Sequence, residues 1–429
     1  MLNIDFAELE EKISNEELTF RNAIAKEAIK NYSNLDFPNN KDEEWRFTNI
    51  SQLMKHDFRF ISGSSDINRN DIKKFLLGEI FKYQFVFVNG KFIKELSSDV
   101  RTQNIEIVNI DTAIDNNTEL FKKHFAKYAK SKVNYFSALN STNINSGAFI
   151  NITDNSVIKE PIHLLFISDF KRKTLVQPRN LFLAGKNSQA TIIEHYAAFN
   201  DNIYFANAVT EIFVGENSTL NHIKIQEESR NSYHISETAI EMERSSNFES
   251  AAISFGGEIS RNEINCKFNG QGCEATLNGL FMLDDTQLHD THTSIDHAKP
   301  NCNSHEQYKG ILDGKSRGVF NGKVIVRPNA QKTNAFQENN NIILSNEALV
   351  NTKPQLEIFA DDVKCSHGAT IGQIDQDSMF YLKSRGIGEE TARKILIHAF
   401  ASDVVKSIKV NGLRDYLENI LELRFNKEK

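Results

Sequence analysis

The residues best equipped for chemistry fall in one short stretch, LEIFADDVKCSHGATIGQIDQDSMFYLKSRGI, from Leu356 to Ile387. It holds two adjacent acids (Asp361, Asp362), a thiol (Cys365) and an imidazole (His367). Up to Ile374 its β-branched residues are broken by Gly and Asp, a strand pattern, and from about Asp375 the pattern becomes helical. On a strand, residues two apart project from the same side, so Cys365 and His367 would present a soft ligand and an imidazole together. The composition also allows a plainer reading, a buried thiol beside a hydrogen-bonded imidazole. The Asp361/Asp362 pair could supply an acid and a base, as in enzymes that cleave polysaccharides.

Other candidates are weaker. His289, His292, His297 and His305, with Cys302, Asp290 and Asp296 among them, have the donor types of a zinc or iron site, but so do the hydrogen-bonded ladders of a strand coil. Cys266 and Cys273 read as small core hydrophobes. GILDGKS (310–316) has three residues between its glycines where a phosphate loop needs four, and strand-like VFNGKVIV follows it in place of a helix. GQGCEA (270–275) fits a dinucleotide fingerprint but no helix follows, so it reads as a turn. No G-x-S-x-G elbow or H-E-x-x-H helix occurs.

The elements that must position these residues divide the chain into segments 1–134, 135–374 and 375–429. In the first, Phe20, Ile24 and Ala28 share one helix face, and Pro38 with the Asn pair after it ends that helix. The single tryptophan, Trp45 in DEEWRFTNI, reads as an anchor to a core. Asn89-Gly90 joins two strand runs in YQFVFVNGKFIKEL, a hairpin signal, and a helical run from Glu119 to Lys130 follows. In the second segment helical periodicity fades and a unit recurs: LAGKNSQATII, FVGENSTLNHI, MERSSNFESAAI and FNGQGCEATL. The positions Gly185, Gly215, Arg244 and Gly270 are spaced 26 to 30 residues apart, a repeat of one supersecondary unit without a helix. Such a unit suits a parallel β-helix; an antiparallel sandwich is the alternative. In the third segment Ala392, Ile395, Leu396, Ala399 and Phe400 form one apolar stripe, and Leu413, Leu417, Ile420 and Leu421 form another. These helices must dock on the strand body or on another protein.

The chain has 429 residues, 40% hydrophobic and 25% charged, with a formal charge of −7 and its basic residues dispersed. That balance argues against a nucleic-acid partner. The acidic start and the lack of an apolar run of about 18 residues imply a cytoplasmic protein without a membrane span. Four cysteines without a C-x-x-C pair argue against both a disulfide framework and a zinc ribbon.

The stretches DHAKPNCNSHEQYKGILDGKSRGVFNGKVIVRPNAQKTNA and NIILSNEALVNTKPQLEIFADDVKCSHGATIGQIDQDSMFYLKSRGI, with DEEWRFTNI, resemble the SufB/SufD family of iron–sulfur cluster assembly proteins, its SufD side in particular. The resemblance implies a mainly β fold, a right-handed parallel β-helix core flanked by an N-terminal mixed helical domain and a C-terminal helical domain. It implies a scaffold, not an enzyme, in a complex with SufB and the SufC ATPase. SufB would pair through the β-helix and SufC would bind the C-terminal helices, while isolated chains could form a homodimer. No nucleotide would bind this chain. The resemblance places His367, with Cys365, at the SufB contact, near a SufB cysteine, where a transient iron–sulfur cluster or iron sits. SufB-like chains carry that cysteine upstream of this stretch, and QENNNIILS (337–345) lacks one. This departure favours SufD and implies that the chain does not assemble a cluster alone.

Overall fold

The computed structural model describes Leu2, residues 19–60, 67–77 and 82–98, Val100, and residues 102–425. From Arg179 the chain winds as a coil that lays one strand on each of two sheets per turn. Numbering the coil strands in chain order, one sheet holds β1 (Arg179–Ala184), β3 (Phe205–Val214), β5 (Tyr233–Met242), β7 (Ile259–Phe268), β9 (Leu288–His297), β11 (Arg317–Val326) and β13 (Leu349–Ile358). The other holds β2 (Gln189–Ala198), β4 (Thr219–Glu227), β6 (Asn247–Ser254), β8 (Glu274–Leu283), β10 (Asn303–Leu312), β12 (Thr333–Ile343) and β14 (Val363–Gly372). Neighbours in both sheets are parallel, which decides for the β-helix over the sandwich. Phe205 pairs with Tyr233, Tyr233 with Ile259, Ile259 with Leu288, Leu288 with Arg317, and Arg317 with Leu349, so successive turns take 28, 26, 29, 29 and 32 residues. The repeat spacing in the sequence is therefore the length of one turn.

The recurring G-x-N-S unit is the corner of the coil. Asn187, Asn217, Ser245, Gly272, Asn301 and Lys332 each take a left-handed conformation there, which Asn and Gly tolerate best. The corners stack: the Asn217 amide donates to Asn187 at 2.9 Å, and Asn187 to Asn155 at 2.8 Å. Ser188, Ser218 and Ser246 each donate a hydroxyl to the carbonyl three residues back. Cys273 takes the serine's place in the next corner, its sulfur 3.2 Å from the Gly270 carbonyl, and Cys302 follows one turn on. Close approach of the corners requires Gly270, where a Cβ would lie 2.1 Å from the Arg244 amide nitrogen.

The first turn is capped by the N-terminal segment, which extends both sheets. Tyr83–Val88 pairs in parallel with Ile162–Ser168, and Ile105–Asn109 runs antiparallel to Ala148–Ile152. The expected hairpin forms, with Asn89 and Gly90 both at positive φ, but its second strand is only Lys91–Phe92. Helix α1 (Phe20–Asn34) buries Ala25, Ala28 and Tyr32. The helix expected over 119–130 stops early, as α2 (Glu119–His124). Ala126 is left-handed, and the amides of Ala126, Tyr128 and Ala129 donate to the buried Glu211 carboxylate, a stronger acceptor than a helical carbonyl. Inside the segment 135–374, α3 (Tyr135–Thr142) is also helical and packs on α1.

After β14 come α4 (Gln376–Ser384), α5 (Glu389–Ser407) and α6 (Asn411–Phe425). On α5 the apolar stripe is rotated from the expected one: Ile395 and Ala399 are exposed, and Ala392, Ile397, Ala401, Val404 and Val405 are buried. Ile397, Ala401, Val404 and Val405, with Leu413, Leu417 and Leu421 of α6, pack on Ile223, Ile225, Ile253, Leu280 and Ile311 of the coil. Of the two dockings open to these helices, the buried stripes take the one on the strand body. No described helix is long and apolar enough to cross a membrane.

Candidate metal centre at the open end of the coil

The coil is open where the sequence concentrates its ligands. Among the described residues, β13 and β14 end their sheets, each paired on one side only. Side chains alternate along β12: Ala335, Gln337, Asn339 and Asn341 are buried in the lumen, and Phe336 and Glu338 face out. Cys365 pairs in register with Ala335 and His367 with Gln337. Both ligand side chains therefore stand on the lumen side of the terminal strand, as two-residue spacing on a strand requires. Cys365 is half-buried against the cluster that holds Val324, Val326, Ala330 and Ala335, and burial pushes its thiol up, opposed by a hydrogen bond with the Ala335 backbone. His367 is exposed. Around them Leu349, Ile358, Phe359 and Ile371 expose apolar surface along the two unpaired edges. One thiol and one imidazole make half of a tetrahedral ligand set, so this edge alone cannot close a site around zinc or iron.

The other sequence candidates lie elsewhere. Asp361 and Asp362 sit side by side and exposed in the turn between β13 and β14; neighbours in a turn do not face each other across a scissile bond as paired catalytic carboxyls must. The four histidines diverge. His289 is buried against Ser260 and Thr291, with Phe281 stacked at 5.0 Å. His292 faces out between Glu44 and Asp290. His297 turns inward to Ser304 at 2.9 Å, and His305 lies on the opposite sheet against Phe336. No group of three or more metal-ligating side chains converges among the described residues. Cys266, Cys273 and Cys302 are buried, Cys266 with its sulfur 3.4 Å from that of Met242. Gly314 and Gly272 are left-handed turn residues, and β11 and β8 follow them where a nucleotide site would need a helix.

Beneath the open end the lumen is polar, which the sequence reading missed. Gln337 pairs in register with Glu306 one turn deeper and donates its amide to that carboxyl. Glu306 is 3% exposed; burial pushes it up to about 7, and the bond from Gln337 opposes the rise. Asn339 and Asn341 continue the polar row. The signal was the alternation of polar residues in NAFQENNNI (334–342), but which alternate set faces inward is decided only by register.

Residues 166–400 match the family described as SUF system FeS cluster assembly, SufBD core domain, and residues 4–164 match the SufBD protein N-terminal region. An iron–sulfur cluster assembly SufBD family protein of Synechocystis is 36% identical over 402 residues, covering 91% of this chain and 88% of the relative. The iron–sulfur cluster assembly protein SufD of Escherichia coli is 31% identical over 400 residues, covering 92% and 91%. The chloroplastic protein ABCI7 of Arabidopsis thaliana is 30% identical over 397 residues, covering 89% and 82%. With a coil core, its two flanking helical regions and matches over about nine-tenths of its length, the chain belongs to the SufB/SufD family of iron–sulfur cluster assembly proteins, on its SufD side.

Proposed function

We propose that the chain is the SufD-like scaffold subunit of a complex with a SufB-like partner and the SufC ATPase. The observation that carries this reading is the open end: two adjacent unpaired strand edges, rimmed with exposed apolar residues, hold a thiol and an imidazole on their lumen side. Unpaired edges invite strand addition, so a second coil docked there continues both sheets and completes the half-built ligand set. His367 is the principal ligand and Cys365 an auxiliary one, and the iron or nascent cluster they hold is cargo, received and then released. A mixed imidazole and thiolate site suits release better than four thiolates, because a neutral imidazole binds iron without adding negative charge. SufC docks on the C-terminal helices and carries ATP hydrolysis; this chain binds no nucleotide and turns over no substrate of its own, and the complex works in the cytoplasm.

The test is iron and acid-labile sulfide per purified complex after co-expression with the whole pathway. His367→Ala leaves both strand edges intact, so the complex assembles and hydrolyses ATP, while loading falls about tenfold or more. Cys365→Ser loses less, since the hydroxyl keeps the size of the thiol in a half-buried seat. Normal loading of the His367→Ala complex would refute the ligand role.

A further inference from the structure

We propose that Gln337 is the positioning residue of His367: its carboxamide oxygen accepts the imidazole N–H and leaves the other ring nitrogen to face out of the coil. The inference rests on the reading of His367 as a ligand, and it concerns how that ring is held. Gln337 and His367 are register partners on adjacent parallel strands and project from the same side of the sheet, a spacing of about 4.8 Å between strands. The carboxamide is fixed from two directions. Its nitrogen donates to the Glu306 carboxyl one turn deeper. Across the lumen it lies over Gly322, where a Cβ would come within 2.1 Å of that same nitrogen. Gln337 is 2% exposed, and its oxygen Oε1 is buried with no hydrogen-bond partner formed among the described residues. An acceptor buried without a partner is costly, and the register partner one strand away, at the open edge, is an imidazole that carries an N–H. A ligating histidine generally gives its second N–H to a carbonyl or carboxylate, which fixes the tautomer and the ring plane.

The readout is the tautomer of His367 in the metal-free full-length chain, from carbon and nitrogen shifts of labelled histidine. The His367 signal is identified by its loss in His367→Ala. Measurement at pH 8 keeps Glu306, which titrates at about 7, in the ionised form that holds the Gln337 nitrogen. One hydrogen bond biases the tautomer ratio about fivefold. Gln337→Met keeps the volume and removes the acceptor, so the ratio relaxes by that factor; Gln337→Glu keeps an acceptor and retains the bias. Gly322→Ala displaces the carboxamide without touching either ligand and relaxes the ratio too, which keeps the test open if Gln337→Met fails to fold. A ratio unchanged in either folded variant overturns the assignment. Should the ratio move as expected while the His367→Ala complex still loads iron, Gln337 holds the ring and the ligand reading falls by itself.

Discussion

Glu237 and Glu306 are carboxyl groups sealed in the protein at 3% exposure each. Both are pushed from 4.5 up to about 7, Glu237 by burial and then by the charge of Glu263, Glu306 by burial. An acid whose folded pKa lies above its unfolded one keeps its proton longer in the folded chain. Stability is therefore lost as pH rises from about 4.5 through 7, by roughly 3 kcal/mol for each group. Glu306→Gln removes one of these protons, and a glutamine can still accept from the Gln337 amide. Urea denaturation at pH 5 and pH 8 should show a smaller loss across that interval than in the unsubstituted chain; an equal loss would mean that Glu306 is already ionised when folded. At this scale the sequence was readable where spacing alone sufficed. Cys365 and His367 share a side of their strand in any register. Glu306 and Gln337 were not readable, because a one-residue slip would turn both into ordinary surface residues. Nor was Arg179, whose buried pair with Glu211 joins residues on neighbouring turns.

The segment around Trp45 shows the same limit for an element. DEEWRFTNI announces an anchor, yet its docking surface lies far along the chain, 248 residues away for Glu44 and His292. The short turn Glu43–Trp45 lies as a strap across four strands of one sheet. Trp45 stacks under the Arg261 guanidinium at 3.9 Å on β7, and Glu44 meets His292 of β9 and Asn321 of β11. Glu43 reaches Lys353 of β13 at 2.5 Å, and Thr48 donates to Asp290 at 2.6 Å. Burial pulls the His292 imidazole down, but the Asp290 charge and the bonds to Asp290 and Glu44 outweigh both it and the Arg261 charge, leaving its pKa above 6.5. The groups facing this ring are thus Glu44, Asp290 and Arg261, with Lys323 near Glu44. A base whose folded pKa is raised contributes stability that is full below the unfolded value of 6.5 and lost as pH rises through the folded one. The strap is expected to loosen as pH rises above 6.5, and Trp45, the only tryptophan, reports it. Its emission should shift to longer wavelength between pH 6.5 and 9 in the unsubstituted chain and stay level in His292→Gln. Flat emission in both would dissociate the strap from this histidine.

Across the whole molecule the coil was the most legible feature, because one corner motif repeats every turn and the period of the text is the period of the structure. What the repeat could not convey is how its ends and sides are covered, since those contacts do not recur. One end is sealed by Tyr83–Val88 continuing the second sheet, and the side of that sheet is sealed by α5 and α6. This cover changes what a truncation can reveal. Deleting from Ser378 onward removes Leu413, Leu417 and Leu421, each 0% exposed, and uncovers the apolar side chains of the second sheet beneath them. Each such leucine contributes about 1.5–3 kcal/mol by burial, so the truncated chain should unfold at lower urea and bind hydrophobic dye, and its loss of SufC would say little about contact. Phe380 and Tyr381 on α4 are the better probe, being 74% and 56% exposed and outside the packed stripes. Phe380→Ser with Tyr381→Ser should leave the unfolding free energy from urea denaturation within about 0.5 kcal/mol of the unsubstituted chain and abolish co-purification of SufC. Unfolding like the truncated chain would make these residues part of the core; unchanged folding with SufC retained would remove this face of the C-terminal helices from the ATPase contact.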